Sequence, residues 1–170
     1  MRFFIYAWLA VLTLAACNPI FNWRDVRPEG TRLSLLMPCK PDKAQRTVQM
    51  AGQETELMLL SCDAGGVTFA IAIADVKDAS QTANALSQWQ SATLANMKAV
   101  PNSTTASIKL TGLANNGVFV KATGQRANGQ AVSSQAAYFA QGSQVFQAVI
   151  YADKISPDAA DTFFLGLKFD

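Results

Sequence analysis

Val67-Thr68-Phe69-Ala70-Ile71-Ala72-Ile73-Ala74-Asp75-Val76 is apolar on both of its alternating faces. In an extended chain Val67, Phe69, Ile71 and Ile73 fall on one side, and Ala70, Ala72 and Ala74 on the other. A strand with two apolar faces is expected at the centre of a sheet that is covered on both sides. The alanine face allows its covering element a close approach.

Upstream, Arg32 to Met37 predicts a strand that Pro38 stops. Arg46 to Met50 and Glu56 to Cys62 predict a hairpin about Ala51-Gly52-Gln53-Glu54. Pairing Met50 with Thr55 sets Lys43 opposite Cys62, and the short loop from Cys39 to Lys43 then carries Cys39 toward Cys62. Asp63-Ala64-Gly65-Gly66 turns the chain into the central strand.

Downstream, Thr82 to Lys98 predicts an amphipathic helix. Leu86, Trp89, Thr93 and Met97 form its inner stripe, flanked by Ala83 and Leu94, with Asn84, Gln88, Ser91 and Ala95 opposite. Trp89 on that stripe reads as a core aromatic before it reads as a ligand platform. A meander follows: Thr105 to Leu110, then Val118 to Arg126 and Gln130 to Gln141 about Asn128-Gly129, then Val145 to Ala152. With two-residue turns, Val118, Phe139 and Phe146 share one face, and Phe119, Tyr138 and Gln147 the other. Ser156-Pro157-Asp158 starts a short last helix to about Phe164. Strands and helices do not alternate regularly, which predicts an antiparallel sheet with helices packed on its faces.

The chain begins with Met1-Arg2, an apolar run from Phe3 to Leu14, and Leu14-Ala15-Ala16-Cys17, a lipobox. This is the layout of a bacterial lipoprotein signal, cut before the cysteine. The reading assigns residues 1–16 to a cleaved signal and Cys17 to lipid attachment. It makes 17–31 a tether broken by Pro19, Pro28 and Gly30, and 32–170 a single domain. An ordinary secretory signal with a chance cysteine is the alternative. The run is too short to span a bilayer. Position 18 is Asn rather than the aspartate that retains lipoproteins in the inner membrane, so an outer-membrane, periplasm-facing location is expected.

With Cys17 acylated, Cys39 and Cys62 are the remaining pair of the three cysteines, and an oxidising compartment favours their disulfide. Loss of Arg2 leaves thirteen basic residues against twelve acidic ones, scattered singly, which gives no support to nucleic-acid binding. The sequence has no histidine, which removes the Ser-His-Asp arrangement and the H-E-x-x-H zinc site. Glu54 and Glu56 read as a solvated turn, Asp158 and Asp161 as helix-dipole partners, and Asp75 and Asp78 around Lys77 as a cap region. No catalytic, cofactor or metal site is expected, although a carboxylate-based activity stays open. Trp23 and Arg24, in the segment leaving the anchor, could form an exposed partner-binding patch, while Trp23 could equally fold back on the domain or rest at the headgroups.

Leu33-Ser34-Leu35-Leu36-Met37-Pro38-Cys39-Lys40-Pro41 resembles the "FPGKP" element of Mog/PsbP-like exported domains, with Met37 for phenylalanine and Cys39 for glycine. Phe163-Phe164-Leu165-Gly166-Leu167-Lys168-Phe169 is similar to the family's closing "F…SF" segment. The resemblance covers roughly residues 31–169. It implies a three-layer α/β/α sandwich with a mainly antiparallel central sheet. It also implies a non-enzymatic protein that binds, assembles or stabilises a protein complex, here at the bacterial envelope. The rival expectation is a carrier or sensor of a small apolar ligand or lipid held between sheet and helix.

Overall fold

The computed structural model describes residues 20–100 and 103–170. The expected signal, Cys17 and the first residues of the tether lie outside the described residues. Ten strands and two helices follow in chain order. They are β1 (Arg24–Val26), β2 (Leu33–Met37), β3 (Asp42–Met50), β4 (Gln53–Ala64), β5 (Val67–Asp75), α1 (Thr82–Asn96) and β6 (Thr104–Ile108). Next come β7 (Gly117–Gln125), β8 (Ala131–Gln141), β9 (Gln144–Ala152), α2 (Pro157–Leu165) and β10 (Lys168–Phe169). Seven of the strands form one antiparallel sheet, ordered β3-β4-β5-β9-β8-β7-β6. The rest form a small sheet, β1-β2-β10.

The central strand behaves as its pattern requires. Phe69, Ile71 and Ile73 are buried in one core with Phe139, Phe146, Ala148 and Ile150 of the neighbouring strands. Phe163 of α2 meets Phe69 edge-on at 5.4 Å between ring centroids, and Leu33, Leu35 and Met37 of β2 complete that core. Ala70, Ala72 and Ala74 face the opposite way, beneath α1, with Leu86 and Trp89 packed on them. The result is a sheet-dominated, mainly antiparallel fold with two helices. The small sheet beside α2 has no counterpart in the reading of the sequence.

Caps set the helix starts. Ser156 accepts from the Ala159 N–H, and Pro157 occupies the first turn of α2 where its missing donor costs nothing. Asp78 caps the 3₁₀ turn Ala79–Gln81 that leads into α1, accepting from Ser80 N–H at 2.9 Å. The far end of α1 rests on β7. The Gln125 N–H donates to the Met97 carbonyl at 2.7 Å, and a Cβ at Gly124 would collide with that same carbonyl.

Two registers differ from expectation. Met50 pairs with Gln53, not Thr55, so Lys43 lies opposite Leu60 rather than Cys62. The loop is only Ala51-Gly52, both with positive φ (50° and 80°), the geometry of a tight mirror-image hairpin turn. The shift is two residues, which keeps every side chain on its expected face, and the Cys39–Cys62 disulfide is present with Cα atoms 6.0 Å apart. Val118 pairs with Tyr138, not Phe139, because the turn at Asn128-Gly129 also takes in Ala127. Gly129 takes the left-handed φ of 83° that closes such a three-residue loop. This one-residue slip reverses β7. Val118 now shares a row with Tyr138 and Gln147, while Phe119 turns to the other face and meets Phe164 edge-on at 4.9 Å.

Candidate functional site

The side of the sheet under α1 carries several open clefts. Trp89 is half-buried and bridges two apolar clusters, one with Met50, Leu57, Ala72 and Ala85, the other with Ala70, Tyr138 and Val149. Its indole stands edge-on to the Tyr138 ring, 6.5 Å between centroids. Trp89 is thus part of the core, as its place on the helical stripe predicts, but one side of the ring stays open. Ala85, absent from the expected stripe, is the helix's fully covered residue, and Ala83, expected to flank the stripe, is exposed.

Two clefts meet at that open side. One, of about 240 Å³, runs between α1 and the β3–β4 hairpin, lined by Arg46, Val48, Met50, Leu57, Gln88, Trp89 and Ala92. The other, of about 370 Å³, continues past the C-terminal end of α1 to Gln125, Arg126, Val132 and Tyr151. Arg46, Trp89 and Ala92 line both, so the two form one groove along the helix. A third cleft of about 400 Å³ lies on the other flank of α1, among Leu86, Gln90, Asn115, Asn116, Val118 and Tyr138.

The groove has a positive wall and a neutral floor. Arg46 is exposed, and among the described residues it has no acidic partner in ion-pair range. Arg126 is held by Asp153 at 3.3 Å. Burial pushes the Tyr151 phenol up to about 12, with Tyr138 adding to the shift. Burial likewise raises Tyr138, against opposing hydrogen bonds from Thr93 and Gln147. Both phenols therefore stay neutral at any physiological pH. Below the helix the buried Gln147 donates from Nε2 to Thr93 Oγ1 at 3.0 Å and to Tyr138 Oη at 2.9 Å. Guanidinium, indole, amide and neutral phenol are groups that recognise a ligand; the groove lining contains no carboxylate or thiol.

The residues singled out by sequence lie elsewhere. Trp23 packs edge-on against Phe69 at 5.7 Å and beside Phe21, on the α2 side of the sheet. Arg24 is exposed on β1, opposite Met37. The two do not make one exposed patch, because the apolar surface of Phe69 draws the indole inward and leaves the guanidinium in water. The described part of the expected tether, from Ile20 to Thr31, is likewise docked: Asn22 N–H donates to the Pro38 carbonyl at 2.8 Å and β1 pairs with β2. Glu54 and Glu56 are exposed on β4, and Asp75 and Asp78 serve as local turn and cap acceptors. Among the described residues no group of three or more His, Cys, Asp or Glu side chains could hold a metal ion. No described helix is long and apolar enough to cross a membrane.

Arg46 and Tyr151 escape sequence reasoning because nothing local links them. They come together only when β3 and β9 are placed on the same side of α1.

No protein-family model matches the chain, and comparison with curated proteins finds no relative. Among solved structures, a crystal structure from Bacteroides thetaiotaomicron is similar at a TM-score of 0.47 and 16% identity. That likeness covers 82% of this chain and 45% of the other, so the chain spans less than half of that protein's length.

Proposed function

We propose that this chain is a lipoprotein anchored through Cys17 in the outer membrane and facing the periplasm. Its domain is a three-layer α/β/α sandwich of the Mog/PsbP-like kind. It acts as a non-enzymatic binding module that holds or stabilises a partner protein at the envelope. The lipobox supports the anchor. The groove along α1 carries the binding reading, because it offers an open indole edge beside a guanidinium that has no acidic partner among the described residues. Tryptophan and arginine are the residue types that concentrate binding energy at protein interfaces. The contact is thereby moved from Trp23 and Arg24, where the sequence suggested it, to Trp89 and Arg46.

The test is photo-crosslinking in intact cells, with a benzophenone amino acid replacing Ala92, which is exposed and lines both halves of the groove. One dominant envelope protein, captured at Ala92 but not at Asp158 on α2, and reduced about tenfold by Arg46→Glu, is the expected result. Equal capture at both positions, or none, overturns the reading. The carrier reading draws on the third cleft, and recovery of one lipid species with the purified protein, lost on Val118→Glu, would favour it. For the anchor, Cys17→Ala should abolish labelling by radioactive palmitate and shift the protein out of the membrane fraction.

A further inference from the structure

The face of the sheet that packs against α2 changes character along β7 and β8. Phe119 of β7 meets Phe164, and Ala137 opposite it on β8 is fully buried. Further along β7 the same face carries Lys121, paired with Gln135, and then Thr123, paired with Ser133. Thr104 on the β6 edge extends the first of these rows. Residues 153–155, which lead from β9 into α2, supply the remaining wall of a cleft of about 380 Å³. That is the size of small-molecule clefts in proteins. The Ser133 hydroxyl donates to the Asp153 carbonyl at 3.3 Å, which ties this wall to the floor.

The protein leaves the polar groups of the cleft open. Among the described residues neither Lys121 nor Lys154 has a carboxylate in ion-pair range. The one carboxylate of the lining, Asp153, is taken by Arg126 at 3.3 Å. Lys121 Nζ stands 5.7 Å from the Phe119 ring centroid, an attraction that places the ammonium and leaves its N–H donors available. Gln135 is half-buried on the floor, and among the described residues its side-chain amide has no hydrogen-bond partner. Gln147, on the other face, is by contrast a structural amide, with Thr93 and Tyr138 as partners. No aromatic ring lines the cleft.

We propose that this cleft binds a monosaccharide carrying a carboxylate or phosphate group. Lys121 and Lys154 serve the anionic group, as point charges that suit either chemistry. Gln135 and Thr123, each donor and acceptor at once, serve the hydroxyls. A neutral sugar leaves both ammoniums unmatched, and a bare inorganic anion leaves the amide and the hydroxyl unmatched. A planar aromatic ligand finds no ring to stack on. The cleft lies on the opposite face of the sheet from the groove along α1, so it stands independently of the partner-binding reading.

The test is isothermal titration calorimetry on the full-length protein in non-ionic detergent. The probes are glucuronate, glucose phosphorylated at its primary hydroxyl, glucose itself and inorganic phosphate. At least one of the two anionic sugars should bind with a Kd below about 1 mM, and glucose and inorganic phosphate about tenfold more weakly. Lys121→Ala and Lys154→Ala should each weaken that binding about tenfold, whereas Lys40→Ala, outside the cleft, should not. Gln135→Leu should weaken the anionic sugar and leave inorganic phosphate unchanged. Thermal melts of the variants that match wild type are the control for folding. Raising the salt to about 0.5 M should weaken binding to the wild-type protein, where no substitution intervenes. No saturable heat from either anionic sugar up to about 10 mM overturns the proposal. So does binding indifferent to both lysines, or phosphate binding as tightly as its sugar ester, which would make the cleft a simple anion site.

Discussion

Gln147 on β9 donates to Thr93 on α1 at 3.0 Å, beneath a helix with a single fully buried residue, Ala85. The same Nε2 reaches Tyr138 at 2.9 Å, so one amide ties the helix to two strands. Gln147→Ala leaves the buried Tyr138 hydroxyl without that partner. The variant loses the amide's two hydrogen bonds, about 1 kcal/mol each, while Tyr138 keeps Thr93, which lowers Tm by about 6 °C in a chain of this size. Differential scanning calorimetry measures it. A shift under 1 °C would show that packing alone seats α1.

Cys39 and Cys62 close a loop with a sequence separation of 23. The bridge joins the loop after β2 to β4, and so holds the small sheet to the large one. In the chain-entropy treatment a loop of this length contributes about 3 kcal/mol. Cys39→Ser, Cys62→Ser and the double variant should therefore fall together, with Tm lower by about 9 °C. Urea titration with and without reductant distinguishes them from wild type, and an unchanged midpoint on reduction would remove the bridge from the stability account.

Asp75 supplies a pH dependence of known sign. Its carboxylate sits below the usual 3.8, held there first by the Ser143 hydroxyl and then by the Lys77 N–H. A depressed folded-state value adds stability above the unfolded value, and that stability is lost as the pH falls through the folded one. Asp78, held down by Ser80, has the same sign. Stability should stay level from pH 7 to about 5 as far as these groups are concerned, then fall below pH 4. Asp75→Asn should be less stable than wild type at pH 7, with a gap that narrows as the pH drops toward 3. Urea midpoints across this range are the measurement, and a gap that widens on acidification would contradict the assignment.

Ala51 sits at φ 50° in the β3–β4 turn, where an L-residue with a Cβ costs about 1 kcal/mol and asparagine is better tolerated. Ala51→Asn should therefore raise Tm by about 3 °C. A lower Tm would indicate that the partial burial of Ala51 against its apolar neighbours outweighs the backbone gain.

These hairpins also show what the sequence could convey. The two-faced pattern of β5, the stripe of α1 and the Ser156-Pro157 start of α2 are local signals, and each marks an element the structure contains. Register is not local in the same way. Ala51 is an unusual first residue for a mirror-image turn, so the β3–β4 loop looked longer than it is. Asn128-Gly129 is so strong a two-residue signal that it concealed Ala127 as part of the loop. β1 has three residues and no periodicity to detect, so the segment around it reads as free chain in the sequence, and only the fold brings Trp23 against the ring of Phe69. The groove was the least legible part, because Arg46, Trp89 and Tyr151 belong to three elements whose meeting is decided by the sheet order.

The docking of Phe21 and Trp23 on Phe69 bears on how far this domain can travel. Ile20 already lies against Gly65, so the chain is fixed from about that point onward. Three residues of fully extended chain cover at most about 10 Å. On the proposed anchor at Cys17, the domain can swivel at the bilayer but cannot reach across the periplasm. On that same proposed anchor, a partner protein would have to come to the membrane surface to be met.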